Sequence, residues 1–439
     1  MRAFEEISLT EHRPIEFNLN QTQIKNRLNQ LWEGEPINFS ENKRALFILQ
    51  RNLNNPSFPD KSDVAFLNTQ EELMLDWLKE FDHTGYQHMI CVGVGGSTLG
   101  LQFLDQALHL SSMSSKRLSF IDHLNSDFID DVLKVSSPKD TIVLYISKSG
   151  QTSEVLWVRK YIQENAPLLK ERMITAVPSI ANSMGFQDVL PLHSEINGRM
   201  SIWSIVILPI AFKYGIDVIR KFRSGGQLVD QMMMETSLND TISAQLASLS
   251  LQEQQKQHIG LQLFLNYDKR LQLFGHYLQQ LEMESLGKPF NRSGQFLKQF
   301  PGQFILTEFG TQAQHSIMQY IHQCHFPISV TFLTTQMSSP GALEVSRHID
   351  AQINVLNKGY HSEQIHSDYP DSTEINCKMR QVPGNKPTRL LTLKDQSIET
   401  LGALIAVYEY KVLIEAFHWD INPFDQFGVE RPKSLLTNG

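Results

Sequence analysis

From about residue 70 onward, short apolar runs alternate with amphipathic stretches, and this alternation restricts the fold more than any other feature of the chain. Helical spacing in Glu71–Phe81 leads into the run His88–Val94, and Leu118–Ile121, Thr141–Ile146 and Met173–Val177 follow. The recurrence is roughly 25–30 residues, with runs too short for helices and helical patterns between them. Such a pattern specifies βαβ units and a parallel sheet covered on both faces. After the polar stretch Ser224-Gly225-Gly226 a second set begins, with candidate strands at Gly260–Leu265, Phe304–Thr307, Ile328–Leu333 and Leu390–Leu393. Candidate helices lie between them at Asp268–Leu286, Gln312–Gln323 and Val345–Lys358. Ser362–Lys386, rich in Ser, Asp and Pro, reads as a long excursion, and Thr400–Trp419 as a strong helix.

The expected fold is therefore α/β, with two tandem doubly wound sandwich domains at residues 66–222 and 223–420. An N-terminal arm (1–65) and a C-terminal tail (421–439) flank them. The arm lacks alternation and carries the Asn- and Pro-rich stretch Asn52–Pro56, so it is expected to hold helices and irregular segments. The tail from Asn422 is read as a loop and a short last helix. A length of 439 residues suits two or three domains, and 41% hydrophobic with 20% charged residues is ordinary globular usage.

A net charge of −8 argues against a nucleic-acid partner, because phosphate-backbone affinity needs clustered Lys and Arg. An anionic substrate needs only a local convergence of basic groups and helix N-termini. Cys91, Cys324 and Cys377 are far apart with no CxxC spacing, so neither a disulfide framework nor a structural zinc is expected. Met1–Glu6 has no apolar core of a signal peptide, and the longest apolar run, Ile202–Phe212, is too short to span a bilayer and contains Pro209. A soluble, cytoplasmic chain with no membrane partner is the expectation.

The sharpest chemical signal follows the run Thr141–Ile146. Ser147-Lys148-Ser149-Gly150-Gln151-Thr152 leads into a helix opening at Ser153-Glu154. A strand, a loop of hydroxyls and glycine, and a helix N-terminus together supply O–H and N–H donors at the positive end of a dipole, which suits a phosphate dianion. The plainer alternative is simple helix capping. A second signal is Val92-Gly93-Val94-Gly95-Gly96-Ser97-Thr98, where a dinucleotide fingerprint would need Gly in place of Thr98. Asp122 falls near where a ribose-binding acid would lie. The alternatives are a backbone turn against a sugar ring, with Ser97 as donor, and a turn needing glycine only for packing.

His315, His322 and His325 cluster in sequence, and His315 and His322 would share a helix face seven residues apart. No HExxH spacing accompanies them, and no metal is expected. Glu284, just before Gly287, sits where a helix dipole disfavours an acid. A surface carboxylate and a functional one both fit that position. The tail Asn422–Lys433 taken alone reads as a solvated segment.

Taken together these motifs resemble the phosphoglucose isomerase (glucose-6-phosphate isomerase) family over about residues 85–435. The blocks are Val94-Gly95-Gly96-Ser97, Ser147–Thr152, Gly198-Arg199-Met200-Ser201, Met283-Glu284-Ser285-Leu286-Gly287-Lys288, Gly310-Thr311-Gln312-Ala313-Gln314-His315-Ser316 and Phe424-Asp425-Gln426-Phe427-Gly428-Val429-Glu430 with Lys433. They stand in the family's order. The resemblance implies two sugar-isomerase-type domains, a sugar-phosphate substrate, no cofactor, and a homodimer with shared sites. It implies Glu284 as the proton-shuttling base, His315 and Lys433 as the ring-opening pair, and Arg199 beside the enediolate. It also implies that Ser147, Ser149, Thr152 and the Lys148 backbone hold phosphate, and that Gly96, Ser97, Gln280 and Gln426 contact sugar hydroxyls or waters. The sequence departs from the family pattern at Leu286, Gln312-Ala313, Asn197 and Pro432. Two other classes compete with an isomerase. A silent sugar-phosphate sensor would lose Glu284, His315 or Lys433, and all three are present. A nicotinamide-dependent dehydrogenase is disfavoured by Thr98.

Overall fold

The computed structural model describes residues 5–52, 60–109, 114–336 and 340–437. Met1–Phe4, and the stretch Asn52–Pro56 beyond Asn52, lie outside the described residues. Ten strands occur among the described residues: β1 (Ile7–Glu11), β2 (His88–Val92), β3 (Arg117–Ile121), β4 (Thr141–Ile146), β5 (Lys170–Thr175), β6 (Val189–Pro191), β7 (Leu261–Asn266), β8 (Phe304–Phe309), β9 (Ile328–Thr335) and β10 (Thr388–Leu393). They form two sheets, ordered β3-β2-β4-β5-β6 and β1-β10-β9-β7-β8. The first is parallel throughout. The second is parallel except at β1, which pairs antiparallel with β10. Every residue of β2 and β4 is buried, as strands covered on both faces require.

Eight strands fall where the apolar runs predicted them, with ends shifted by a few residues. β1 and β6 were not predicted, for a physical reason. β1 is five residues long and buries only Ile7, with Leu9 half-buried, so its alternation is too short to stand out in the sequence. β6 is three residues long and ends in Pro191, which an edge strand tolerates because its outer side needs no ladder donor.

In each sheet the chain runs outward in one direction and then returns to build the other. That reversal creates a topological switch, at β2/β4 in one sheet and β7/β9 in the other, and ligands of doubly wound sheets bind outside the carboxyl ends of such strands. The turn Gly93–Thr98 leaves β2 and the Ser147–Thr152 loop leaves β4. Both candidate loops therefore emerge at one switch point.

The chain divides into two compact units, residues 22–231 with 422–439, and residues 1–21 with 232–421. These bounds differ from the expected 66–222 and 223–420. The first residues join the later sheet through β1, and the tail after Ile421 joins the earlier unit. Ser224-Gly225-Gly226 is not a linker. It lies inside the helix Ile216–Glu235, where a Cβ on Gly226 would come within 2.8 Å of the Trp203 ring. The glycine there permits close packing and does not break the helix.

The expected helix Gln312–Gln323 is broken into Gly310–Ala313 and Met318–Gln323. The Ser316 hydroxyl donates to the carbonyls of Gln312 and Ala313, competing with the helical ladder for its acceptors. His315 thus sits in the intervening turn and does not share a helix face with His322. The Ser362–Lys386 excursion contains two short helices, Ser362–Asp368 and Glu374–Arg380, which bury Ile365 and Cys377. Among the described residues no helix is long and apolar enough to cross a membrane.

Candidate active site

The predicted site residues divide between the two units. Gly96, Ser97, Ser147, Lys148, Ser149, Thr152, Arg199, Gln426 and Lys433 belong to the first, and Gln280, Glu284 and His315 to the second.

The loop after β4 is built to present donors. Gly150 has φ +69°, a left-handed turn residue, and its N–H donates to the Ser147 carbonyl at 3.1 Å. The Lys148 carbonyl accepts from Ala176 N at 2.9 Å and Thr175 Oγ1 at 3.2 Å, which ties the loop to the end of β5. Thr152 is the N-cap of the helix Ser153–Asn165, yet its side chain makes no capping bond. Its hydroxyl lies instead 2.8 Å from Ser147 Oγ. Two hydroxyls sharing one hydrogen bond keep one proton to give, and the first helical N–H groups are not taken by the cap side chain. Ser149 Oγ accepts from Gln151 N at 3.1 Å and keeps its own proton. Simple capping therefore does not account for this loop. The Lys148 ammonium is pushed down to about 8 by burial and by the neighbouring Lys43 ammonium, against the pull of Glu41 and Glu195.

The turn after β2 is a single 3-10 turn, Gly95–Ser97. A Cβ on Gly96 would lie 2.0 Å from the Gly198 carbonyl oxygen, so glycine here lets two backbones touch. Ser201 Oγ donates to the Gly96 carbonyl at 3.1 Å. The motifs Gly93–Thr98 and Gly198–Ser204 are thus one packed feature. Thr98 is fully buried, its hydroxyl directed to the Gly93 carbonyl at 3.4 Å, and Asp122 accepts from Gln102 Nε2 at 2.9 Å. The two positions a dinucleotide would need are occupied by the protein's own side chains.

Arg199 is 3% exposed and turned toward the tail. Its Nη1 donates to the Pro423 carbonyl at 3.0 Å, and Nη2 to the Asp425 carbonyl at 3.0 Å and that of Phe424 at 3.5 Å. Asn197 Nδ2 donates to the Phe424 carbonyl at 3.2 Å. Sequence reasoning assigned nothing to Asn197; its only signal was the departure from a glycine. From Gln426 to Lys433 the tail is exposed, and Lys433 lies on the last helix, Glu430–Thr437.

In the second unit, Glu284 stands in the last turn of the helix Phe274–Leu286. A Cβ on Gly275 would come within 1.8 Å of Thr307 Oγ1, so glycine brings this helix hard against β8. The half-buried Glu284 accepts from Gln280 Nε2 at 3.2 Å, one turn earlier on the same face. That bond aims the carboxylate and leaves the Gln280 carbonyl oxygen as an acceptor. Leu286, a departure from the family pattern, is buried. Ala313, another, belongs to the apolar cluster with Tyr267 and Phe332. His315 is exposed in its turn, with its N–H on the Gln312 carbonyl at 3.0 Å. His322 Nε2 lies 2.8 Å from Gln352 Oε1. Among the described residues, no group of three or more His, Cys, Asp or Glu could hold a metal ion.

This arrangement is a phosphosugar-isomerase fold with a donor loop at one switch point and a positioned carboxylate in its other unit. The sequence profile of the phosphoglucose isomerase family matches residues 10–438, and the chain belongs to that family. It is 31% identical over 432 residues to the glucose-6-phosphate isomerase of Legionella pneumophila, strain Paris, spanning 94% of this chain and 83% of that protein. It is 28% identical over 453 residues to that of Francisella philomiragia, spanning 95% and 83%. A solved glucose-6-phosphate isomerase structure from Chlamydia trachomatis has the same fold, with a TM-score of 0.83 at 24% identity, over 95% of this chain and 83% of that one.

Proposed function

We propose that the chain catalyses the reversible isomerisation of glucose 6-phosphate and fructose 6-phosphate, as a cytoplasmic homodimer and without an added cofactor. The observation that carries this reading is the loop Ser147–Thr152. Its paired Ser147 and Thr152 hydroxyls and a helix N-terminus left uncapped by Thr152 suit a dianion, and in the same chain Glu284 accepts from Gln280, which supports a role in proton transfer. On this reading the loop would hold the phosphate and Glu284 would serve as the base.

The chemistry is a proton relocation. The cyclic sugar opens when an acid protonates the ring oxygen and a base takes the anomeric hydroxyl proton, tasks given to His315 and Lys433. In the open aldose, Glu284 removes the C2 proton as the enediol(ate) forms, and returns it to C1 to give the ketose. Gly96, Ser97, Gln280 and Gln426 would contact sugar hydroxyls or waters. His315 would come from the partner subunit, which makes each site composite. Arg199 was expected beside the enediolate. Both its terminal nitrogens donate to tail carbonyls, which favours a role in holding the tail.

A coupled assay with fructose 6-phosphate as substrate, on metal-stripped and nucleotide-free protein, tests this reading. Turnover is expected under those conditions. Activity that returns only with a metal or a nicotinamide would overturn the mechanism.

A further inference from the structure

We propose that Asn197 is a positioning residue for the reaction: together with Arg199 it clamps the main chain at Pro423–Asp425 and so fixes where the tail presents Gln426 and Lys433. The inference rests on the isomerase reading above and adds a residue to it.

The tail meets its unit through a short buried base. Asn422, Pro423, Phe424 and Asp425 are all buried, and every residue from Gln426 to Lys433 is exposed. Asn197 and Arg199 hold three successive carbonyls of this base, with Asn197 doubling the bond on Phe424. On its other side Asn422 Nδ2 donates to Asn38 Oδ1 at 2.8 Å and to Ser40 Oγ at 2.7 Å, and Ser40 donates to Asp425 Oδ2 at 2.8 Å. Beyond the base, Gln426–Lys433 are exposed, and Val429 N donates to the Gln426 carbonyl at 3.2 Å within the tail itself. The buried base, held by side chains on both sides, is the anchor from which the exposed Gln426–Lys433 segment leaves. Asn197 and Arg199 alternate along the Gly198 turn that also seats against Gly96, so one rigid segment fixes both the glycine turn and the root of the tail. A glycine at position 197, as in the family pattern, would leave Arg199 as the sole donor to Phe424 from this segment.

Two variants and a cycle test the proposal. Asn197→Gly removes the donor. Asn197→Asp keeps the shape and puts a carboxylate against a carbonyl. Both are expected to raise amide hydrogen exchange across residues 426–437 about tenfold. Both should lower kcat about five- to tenfold, with KM for fructose 6-phosphate changed less than about twofold, because the phosphate is held by a separate loop. In a Lys433→Ala background, Asn197→Gly should add almost no further loss of kcat, since its effect passes through Lys433. Unchanged exchange and kcat in both variants would overturn the clamp. So would losses that are additive with Lys433→Ala, or a rise in KM matching the fall in kcat, which would mark general damage. An inactive wild type, in contrast, would overturn the isomerase reading itself and the role claimed here with it.

Discussion

Glu282 and Glu284 stand two residues apart on one helix and face opposite environments. Two residues turn a helix by about 200°, so one carboxylate enters the core as the other leaves it. Glu282 is 1% exposed and lies 2.6 Å from Lys411 Nζ, which also reaches Glu415 Oε1 at 2.9 Å. Burial raises the Glu415 carboxyl above its ordinary value, and the Lys411 charge draws it back. The buried triad thereby locks the rotation of the helix that displays Glu284.

Lys411→Met should destabilise the protein by about 3–5 kcal/mol, because two carboxylates are left buried without their cation. Combining it with Glu282→Gln and Glu415→Gln should recover much of the loss. Urea midpoints read both. A single mutant as stable as wild type would show that the triad does not hold this helix.

Glu284→Gln should lower turnover by at least roughly 10²-fold with little change in sugar-phosphate affinity. Gln280 and the helix frame remain, so the urea midpoint should stay at the wild-type value. Affinity that collapses together with turnover would make Glu284 structural.

Ser147→Ala with Thr152→Ala should do the reverse. Removing the hydroxyl pair 2.8 Å apart takes donors from the phosphate loop and leaves the base in place. Affinity for a sugar-phosphate inhibitor, measured by calorimetry, should fall at least about tenfold, one charge-assisted hydrogen bond being worth that much or more. Unchanged affinity would remove the loop from the site.

Lys148 gives a pH dependence with a definite sign. Its folded pKa lies at about 8, below the ordinary lysine value, so between these the unfolded chain binds more protons than the folded one. Its contribution to stability therefore rises with pH across that window. Phosphate affinity should move the other way, falling as pH passes 8 and the ammonium loses its charge. Lys148→Met should flatten both profiles. An affinity limb near pH 8 that survives the substitution would belong to another group.

Complementation tests the shared site. Glu284→Gln and His315→Ala homodimers should each be nearly inactive. Random co-refolding makes half the dimers mixed, and one site of each mixed dimer has both residues intact, so about a quarter of all sites should recover. Verified heterodimers without recovered activity would place His315 in the site of its own chain.

The sequence by itself determined the eight parallel strands of the two sheets that apolar runs mark, because short runs such as Thr141–Ile146, between helical patterns, fit strands buried on both faces. It also determined the loop chemistry of Ser147–Thr152 and the position of Glu284 in a last helical turn, since both depend on residues adjacent in the chain. Tertiary structure decided what depends on distant partners. The strand Ile7–Glu11 exists because β10 offers it an edge, and its own pattern buries a single residue. Lys148 is depressed first by its burial and then by the charge of Lys43, about a hundred residues earlier in the chain, and both depend on the folded structure. Arg199 turns to Pro423, Phe424 and Asp425, over two hundred residues away, a contact that no local pattern encodes. Hydrophobic periodicity is read within one element, whereas a guanidinium's choice of carbonyl is settled only when two elements meet.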